Sequence, residues 1–328
     1  MKKLAPCLAV VVLGVLVFTP PSWGQAKVRI NWTAVSGAMS GVWIAQEEGI
    51  FKRNGLDVEL IHIPSSSRAI QTMLSGEIAF SPLDVQLAVE ANLKGADTVL
   101  LAGITNRLIF SLMARSDIKK TADLRGKKIG ITRIGSSTHT ASLVALSEAG
   151  LKQGDYQILP LMEVPNILTA LTAGQVDAGI VSPPTNSRAR KAGFNELVNL
   201  AKDGPEYPSV ALGTTRSFVK ANEETTARVV RSYAEAIHLF KTNKATAIKV
   251  LQKYTKVTDQ EVLEDAYAQF REYLESVPFV SRKGLATILA EVAEKDPKAK
   301  QAKPEDFLDT RFLTQLEKEG LFKKLWGK

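Results

Sequence analysis

A short amphipathic helix, a glycine and an apolar strand follow one another twice in this chain, and that doubled unit limits the fold more than any other feature. The first copy reads AIQTMLSGEIAFSPLD around Gly76 and the second ILTALTAGQVDAGIVS around Gly174, so that Gly76-Glu77-Ile78-Ala79 aligns with Gly174-Gln175-Val176-Asp177. Ile70, Met73 and Leu74, and again Ile167, Leu168 and Leu171, fall at helical spacing, and each glycine suits a helix end that turns into a strand. Two similar α/β units are therefore expected. Aligning the glycines places Asp84 opposite Ser182 and Val85 opposite Pro183, so the halves share a scaffold but present different chemistry.

The N-terminus bears on where such a protein works. Lys2 and Lys3 precede an apolar run from Leu8 to Phe18, then Pro20-Pro21 and small residues at Gly24 and Ala26. This is the pattern of a secretory leader over residues 1–26, cut near Ala26, with an uncleaved anchor as the alternative. The single cysteine, Cys7, precedes the apolar run, whereas a lipoprotein acceptor would follow it. A chain without thiols or disulfides has to draw its stability from a large core. The 328 residues less the leader suit two α/β lobes better than one, and 45% hydrophobic residues are enough to fill them. The formal charge of +8 comes from lysines dispersed along the C-terminal part and not clustered beside aromatics, so no nucleic-acid partner is expected.

Along the chain, residues 27–32 read as a strand, 41–49 as a helix and 58–63 as a second strand. Ser65-Ser66-Ser67 offers capping hydroxyls to the first repeat helix, whose strand is placed at Ile78 to Ser81. A helix through Ala91 and apolar stretches at 99–104 and 108–114 follow. The pattern then restarts with a helix at 121–124, a strand at 128–132 and a helix at 137–149, before the second repeat and a crossing strand at 209–214. From Glu223 onward the chain reads as almost entirely helical. A discontinuous layout accounts for this order: residues 27–105 plus 209–328 form lobe one, 106–208 form lobe two, and crossings near Asn106 and Ser209 form the hinge. Ligands of open α/β sheets bind beyond the carboxyl ends of the strands, so two such lobes enclose a cleft.

Gly130-Ile131-Thr132-Arg133-Ile134-Gly135-Ser136-Ser137-Thr138-His139 is the sharpest local signal for a site. A strand ends, a glycine permits a tight turn, and hydroxyls and free amides gather at a helix start, an arrangement that holds an anion. The alternative is that Ser136 or Ser137 merely caps the helix. The segment is neither a Walker loop nor a dinucleotide fingerprint. The three histidines, His62, His139 and His238, stand in no Ser/His/Asp order, HExxH motif or clustered metal spacing, so no catalytic residue, metal or cofactor is expected.

Four segments, EEGIFKRNGLDVEL (47–60), IPSSSRAIQTMLSGEIAFSPLDV (63–85), TADLRGKKIGITRIGSSTH (121–139) and VPNILTALTAGQVDAGIVSPP (164–184), follow one another in an order that resembles the periplasmic solute-binding proteins of ABC importers for sulfonates, nitrate and taurine. That family also contains thiamine-pyrimidine precursor binders, and the likeness runs from about Val28 to at least Tyr254. It implies a type II periplasmic binding fold, with each lobe a mixed sheet flanked by helices and two hinge strands between them. It also implies a monomer in the periplasm that takes a small organic solute and meets an ABC permease with its ATPase. By position, the implied ligand contacts are Ser36, Gly37, Ala38 and Met39, then Ser66, Asp84 and Asn106, then Gly135, Ser136, Ser137, Thr138 and His139, and last Ser182 and Pro183. Asp84 either faces the cleft or caps the helix that follows it. Sulfonate binders often carry an aromatic and an acid just before the proline matched by Pro184, where this chain has Ser182 and Pro183, so no substrate carries over. The rival readings are an enzyme like the thiamine-pyrimidine synthases, whose cysteine-rich motif is absent, and a ligand sensor for a membrane receptor.

Overall fold

The computed structural model describes residues 26–327. The expected leader lies outside the described residues apart from Ala26, which opens the first strand. In chain order, β1 (Ala26–Trp32) leads to α1 (Ser40–Glu47), α2 (Ile50–Arg53), β2 (Leu56–His62), α3 (Ser66–Leu74), β3 (Ser81–Asp84), α4 (Val85–Leu93) and β4 (Thr98–Thr105). A second set follows: β5 (Ser111–Ala114), β6 (Lys128–Ile131), α5 (Ser137–Ser147), β7 (Gln157–Pro160), α6 (Val164–Thr172), β8 (Ala178–Val181), α7 (Thr185–Lys191), β9 (Asn195–Asn199) and α8 (Leu200–Asp203). β10 (Val210–Thr215) then precedes α9 (Arg216–Ala221), α10 (Glu223–Thr242), α11 (Lys244–Thr255), α12 (Gln260–Tyr273), α13 (Arg282–Ala293), α14 (Arg311–Lys318) and α15 (Leu321–Trp326).

The strands form two sheets of matching order. β1 and β2 pair in parallel, β10 pairs antiparallel with both β3 and β4, and a parallel bridge from Ile30 to Phe80 joins the two groups, giving β2-β1-β3-β10-β4. The other sheet runs β7-β6-β8-β5-β9, with β5 antiparallel to β8 and β9. In each sheet three parallel strands are followed by one antiparallel strand at the same place in the order. β4 and β10 are hydrogen-bonded neighbours, with Thr105 opposite Val210, and the second sheet lies wholly in the segment between them. The result is a mixed α/β architecture with helices flanking both sheets.

The doubled unit is reproduced at the level of single hydrogen bonds. Beyond α3, the Glu77 amide donates to the Thr72 carbonyl and Gly76 to Met73; beyond α6, Gln175 donates to Ala170 and Gly174 to Leu171. Both are Schellman ends, and both glycines are left-handed, at φ 80° and 68°. The strand expected at 78–81 is displaced to 81–84, because the Schellman turn draws the Glu77 and Ile78 amides back to Thr72 and leaves only Ala79 and Phe80 to meet β1. Strands β7 and β9 and helix α7 were not expected from sequence.

One core cluster holds Trp43, Phe80, Tyr233, Phe240 and Phe270 beneath the first sheet, and each such side chain contributes roughly 1.5–3 kcal/mol by leaving water. α1 lies on α10 so closely that a methyl group on Gly41 would stand 2.2 Å from the Tyr233 ring. A second cluster passes from one sheet to the other, with Ala88 and Val89 of α4, Ala141 and Ala145 of α5, and Leu285 and Ile288 of α13 in a single body.

Candidate functional site

A cleft with about 610 Å³ of space, its open mouth included, lies between the carboxyl ends of the two sets of strands. It is built from equivalent loops. After β1, the Thr33 amide donates to Met39 Sδ at 3.5 Å; after β6, the Thr132 amide donates to Thr138 Oγ1 at 2.8 Å. After β2, the Ser65 amide donates to the Thr33 carbonyl, and after β7 the Met162 amide donates to the Thr132 carbonyl, so each parallel ladder runs beyond its assigned strand. Ser65 and Met162 are both left-handed, at φ 82° and 70°, and all six of these residues line the cleft. Backbone strain of this kind costs on the order of 1–3 kcal/mol and gathers where loops are shaped around a ligand.

Of the residues expected at the site, Ser36, Ala38, Met39, Ser66, Ser136, Ser137, Thr138 and Ser182 line the cleft. Several of their hydroxyls are already engaged. Ser36 caps the 3-10 turn at Gly37–Met39, Ser66 Oγ accepts from the Asp84 amide at 3.1 Å, and Ser136 caps α5. Ser182 differs: it is 2% exposed, and its Oγ has no partner among the described residues.

The other expected residues are placed behind the wall. Asp84 is buried and caps α4, with Oδ1 accepting from the Leu87 amide at 2.8 Å, and it also meets the Ser137 hydroxyl. Burial pushes its carboxyl up to about 6 against the pull of those hydrogen bonds. Asn106 bonds the Phe279 carbonyl at 3.0 Å and the Ser281 amide at 2.9 Å, which fixes the crossing between the sheets. His139 Nδ1 accepts from the Gly135 amide at 3.2 Å, closing the loop ahead of α5. Gly37 packs so tightly on Phe270 that a methyl group there would be 2.2 Å from the ring, and its amide donates to the Pro183 carbonyl at 3.4 Å, a direct contact between the halves outside the cleft lining.

Sequence reasoning missed Thr33, Phe110, Met162, Glu163 and Val210, all of which line the cleft, whereas Thr132, which also lines it, stands in the segment singled out as a site signal but was not among the expected contacts. A strand-end threonine, matching Thr132 in the other half, was the one signal that pointed to Thr33. Among the described residues, Glu163 is the only charged side chain on the lining, and no lysine or arginine lines it. His62 Nε2 stands 4.0 Å from Glu163 Oε1 without a hydrogen bond between them, so the two face one another from the two halves. The His62 ring stacks on Trp32 at 3.7 Å; burial lowers its pKa and Glu163 pulls it back up. In place of cations, helix N-termini face the space. The amides of the first turns of α3 and α5 have no acceptor within their helices, and they carry the positive end of the helix dipole. This wall suits oxygen acceptors, while Phe110, Val164 and Val210 supply an apolar side.

Two sheets of one order enclosing a cleft at their strand ends define the periplasmic binding protein fold. Solved structures share it: a protein of Bordetella bronchiseptica RB50 is similar over 90% of this chain and 98% of that one, at TM-score 0.81 and 24% identity. The alkanesulfonate-binding protein of Xanthomonas axonopodis pv. citri, bound to MOPS, matches over 85% and 95% at TM-score 0.72 and 22% identity. The taurine-binding periplasmic protein of Escherichia coli (strain K12) is 30% identical over 152 residues, which is 46% of this chain and 47% of that one. The chain belongs to the NMT1/THI5 like family, whose pattern matches residues 37–247.

Proposed function

We propose that this protein is the extracytoplasmic binding component of an ABC importer, which captures a small organic solute in the cleft and delivers it to a membrane permease. Residues 27–105 with 209–328 act as one lobe and 106–208 as the other, and the ligand is held when the two close. The solute presents an oxygen-rich head, of sulfonate, carboxylate or nitrate type, to the hydroxyls and first-turn amides of α3 and α5. Its body packs against Phe110, Val164 and Val210. The observation that carries this reading is the Ser182 hydroxyl, buried and unpartnered on the cleft wall, because a buried polar group without a partner costs on the order of 1–3 kcal/mol unless a ligand meets it. Family membership and the periplasmic taurine-binding relative support the transport role. Among the described residues, no helix is long and apolar enough to cross a membrane.

The test is a thermal-shift screen of sulfonates, nitrate, carboxylates and pyrimidines against the purified protein. A ligand at a hundredfold excess over its Kd stabilises by about 2.7 kcal/mol, which moves the melting point by several degrees. The expected result is stabilisation by at least one probe, recovered unchanged by mass spectrometry. Chemical conversion of that probe by the protein alone contradicts the binding role.

A further inference from the structure

Between α7 and α12, six side chains drawn from both halves close a ring of hydrogen bonds. α7 lies beside the second sheet, with Ala189 in a core that also holds Met113 of β5 and Val181 of β8. α12 lies beneath the first sheet, with Leu263 and Phe270 in its core. Across the gap, Asn186 Nδ2 donates to Gln269 Oε1 at 3.1 Å, Gln269 Nε2 donates to Asp265 Oδ2 at 3.0 Å, and Arg190 Nη2 donates to that same Asp265 oxygen. The ring is completed within the second half. Asn186 Nδ2 also donates to Ser111 Oγ at 3.2 Å, Ser111 donates to Glu196 Oε1, and Arg190 Nη1 donates to Glu196 Oε1 at 3.0 Å.

The donors and acceptors of this ring match throughout. The Ser187 amide donates to Asn186 Oδ1 at 2.7 Å, which turns the Asn186 amino group toward the ring, where its two hydrogens meet Gln269 and Ser111. Gln269 and Ser111 each pass a hydrogen on to a carboxylate, and the Arg190 fork supplies both carboxylates. Two equivalent arms result: Ser111 with Glu196 belongs to the second half, and Gln269 with Asp265 belongs to the first. When the halves part, Asn186 and Arg190 keep the inner arm, so their side chains stay oriented for the outer one. Asp265 then loses Arg190 and the Ser187 hydroxyl together.

On the proposed reading of two lobes that close, we propose that this ring is the fastening between them: it forms at a single register of closure and slows their parting, and so sets how long a captured solute is kept. Its members act together, because each shares an atom or a side chain with the next and the loss of one weakens its neighbours. The ring is also better shielded than the contacts around it. Asn186 is buried and the Arg190 side chain is 32% exposed, whereas Lys191, which pairs with Asp259 and Glu261 on the surface, is 51% exposed. Ion pairs as open as those of Lys191 contribute little, which leaves the ring as the polar tie that holds.

The test needs no ligand, so a failed ring leaves solute capture standing and a failed ligand screen leaves the ring standing. Spin labels on Glu77→Cys and Gln175→Cys, both exposed and in matching turns of the two halves, report the distance between them in a Cys7→Ser background. The ligand-free parent is expected to show a population at the separation seen in this structure. Asp265→Ala with Gln269→Ala, at two partly exposed helix positions where alanine favours the helix, is expected to cut that population about fivefold. Asp265→Asn, which keeps the side chain's shape and removes its charge, should shift it the same way by a smaller factor. Lys191→Ala, which removes only the surface pairs, should leave it within error. A parent without that population, ring variants that match the parent, or a Lys191→Ala shift as large as that of the double variant overturns the fastening.

Discussion

Ser182 and Asp84 occupy matching positions in the two halves and do opposite work. Asp84 turns back to cap α4, while Ser182 leaves its hydroxyl on the cleft wall. Asp84→Asn keeps a capping oxygen but removes the ionisable group. With the carboxyl at about 6 in the folded protein and near 3.9 when unfolded, its contribution is fully present below about pH 3.9 and is lost as pH rises through 6. The variant's melting point should therefore gain on the parent's between pH 4 and 7, by a margin on the order of 3 kcal/mol. Equal pH slopes in calorimetry would show that Asp84 is not buried as described. Ser182→Ala removes a hydroxyl that no group among the described residues uses, so the ligand-free melting point should hold within a few degrees while ligand affinity falls about tenfold in titration calorimetry. Ser137 and Thr138 differ from Ser182, because the Ser137 hydroxyl meets the buried Asp84 and Thr138 Oγ1 holds the Thr132 amide, so losing either disturbs the protein as well as the cleft wall.

At the level of elements, the Schellman ends at Gly76 and Gly174 are equivalent, and a side chain at either meets nothing within 4 Å. Alanine there therefore carries only the left-handed backbone cost, about 1 kcal/mol or slightly more at each site, measured by urea unfolding. Gly41→Ala is different in kind, since its methyl group runs into the Tyr233 ring and should cost about 1–3 kcal/mol through displaced core packing. These two glycine turns were legible in sequence because a helix end followed by a left-handed glycine is a local event. β9, reading NELVN, was not legible, because polar residues in a short strand beside β5 leave no apolar alternation to detect. Four residues ending in a proline hid β7 in the same way. The cleft was half legible on similar grounds. The glycine and hydroxyl run at 135–139 announces a helix start, but Thr33, Thr132 and Met162 reach the cleft through ladders between distant strands. Glu163 faces His62 only because two sheets meet.

At the scale of the whole molecule, the two sheets share an apolar body on one side and polar contacts on the other. The α7 to α12 contacts include Asn186 Nδ2 to Gln269 Oε1 at 3.1 Å and Lys191 Nζ to Asp259 Oδ2 at 2.7 Å. Exposed pairs such as the latter contribute about 0–1 kcal/mol each and weaken in salt, so they guide the approach of the halves without holding them. On the proposed function, closure depends on contacts that a ligand makes to both halves at once, to Ser182, Ser137 and the first turn of α3. The most direct measurement is titration calorimetry of the best probe from the thermal-shift screen against the parent protein and Ser182→Ala, with mass spectrometry of the recovered probe. Saturable one-to-one binding, an unchanged probe and about tenfold weaker binding by the variant are the outcome this account requires. Undiminished binding by Ser182→Ala, or a probe recovered as a different compound, contradicts it.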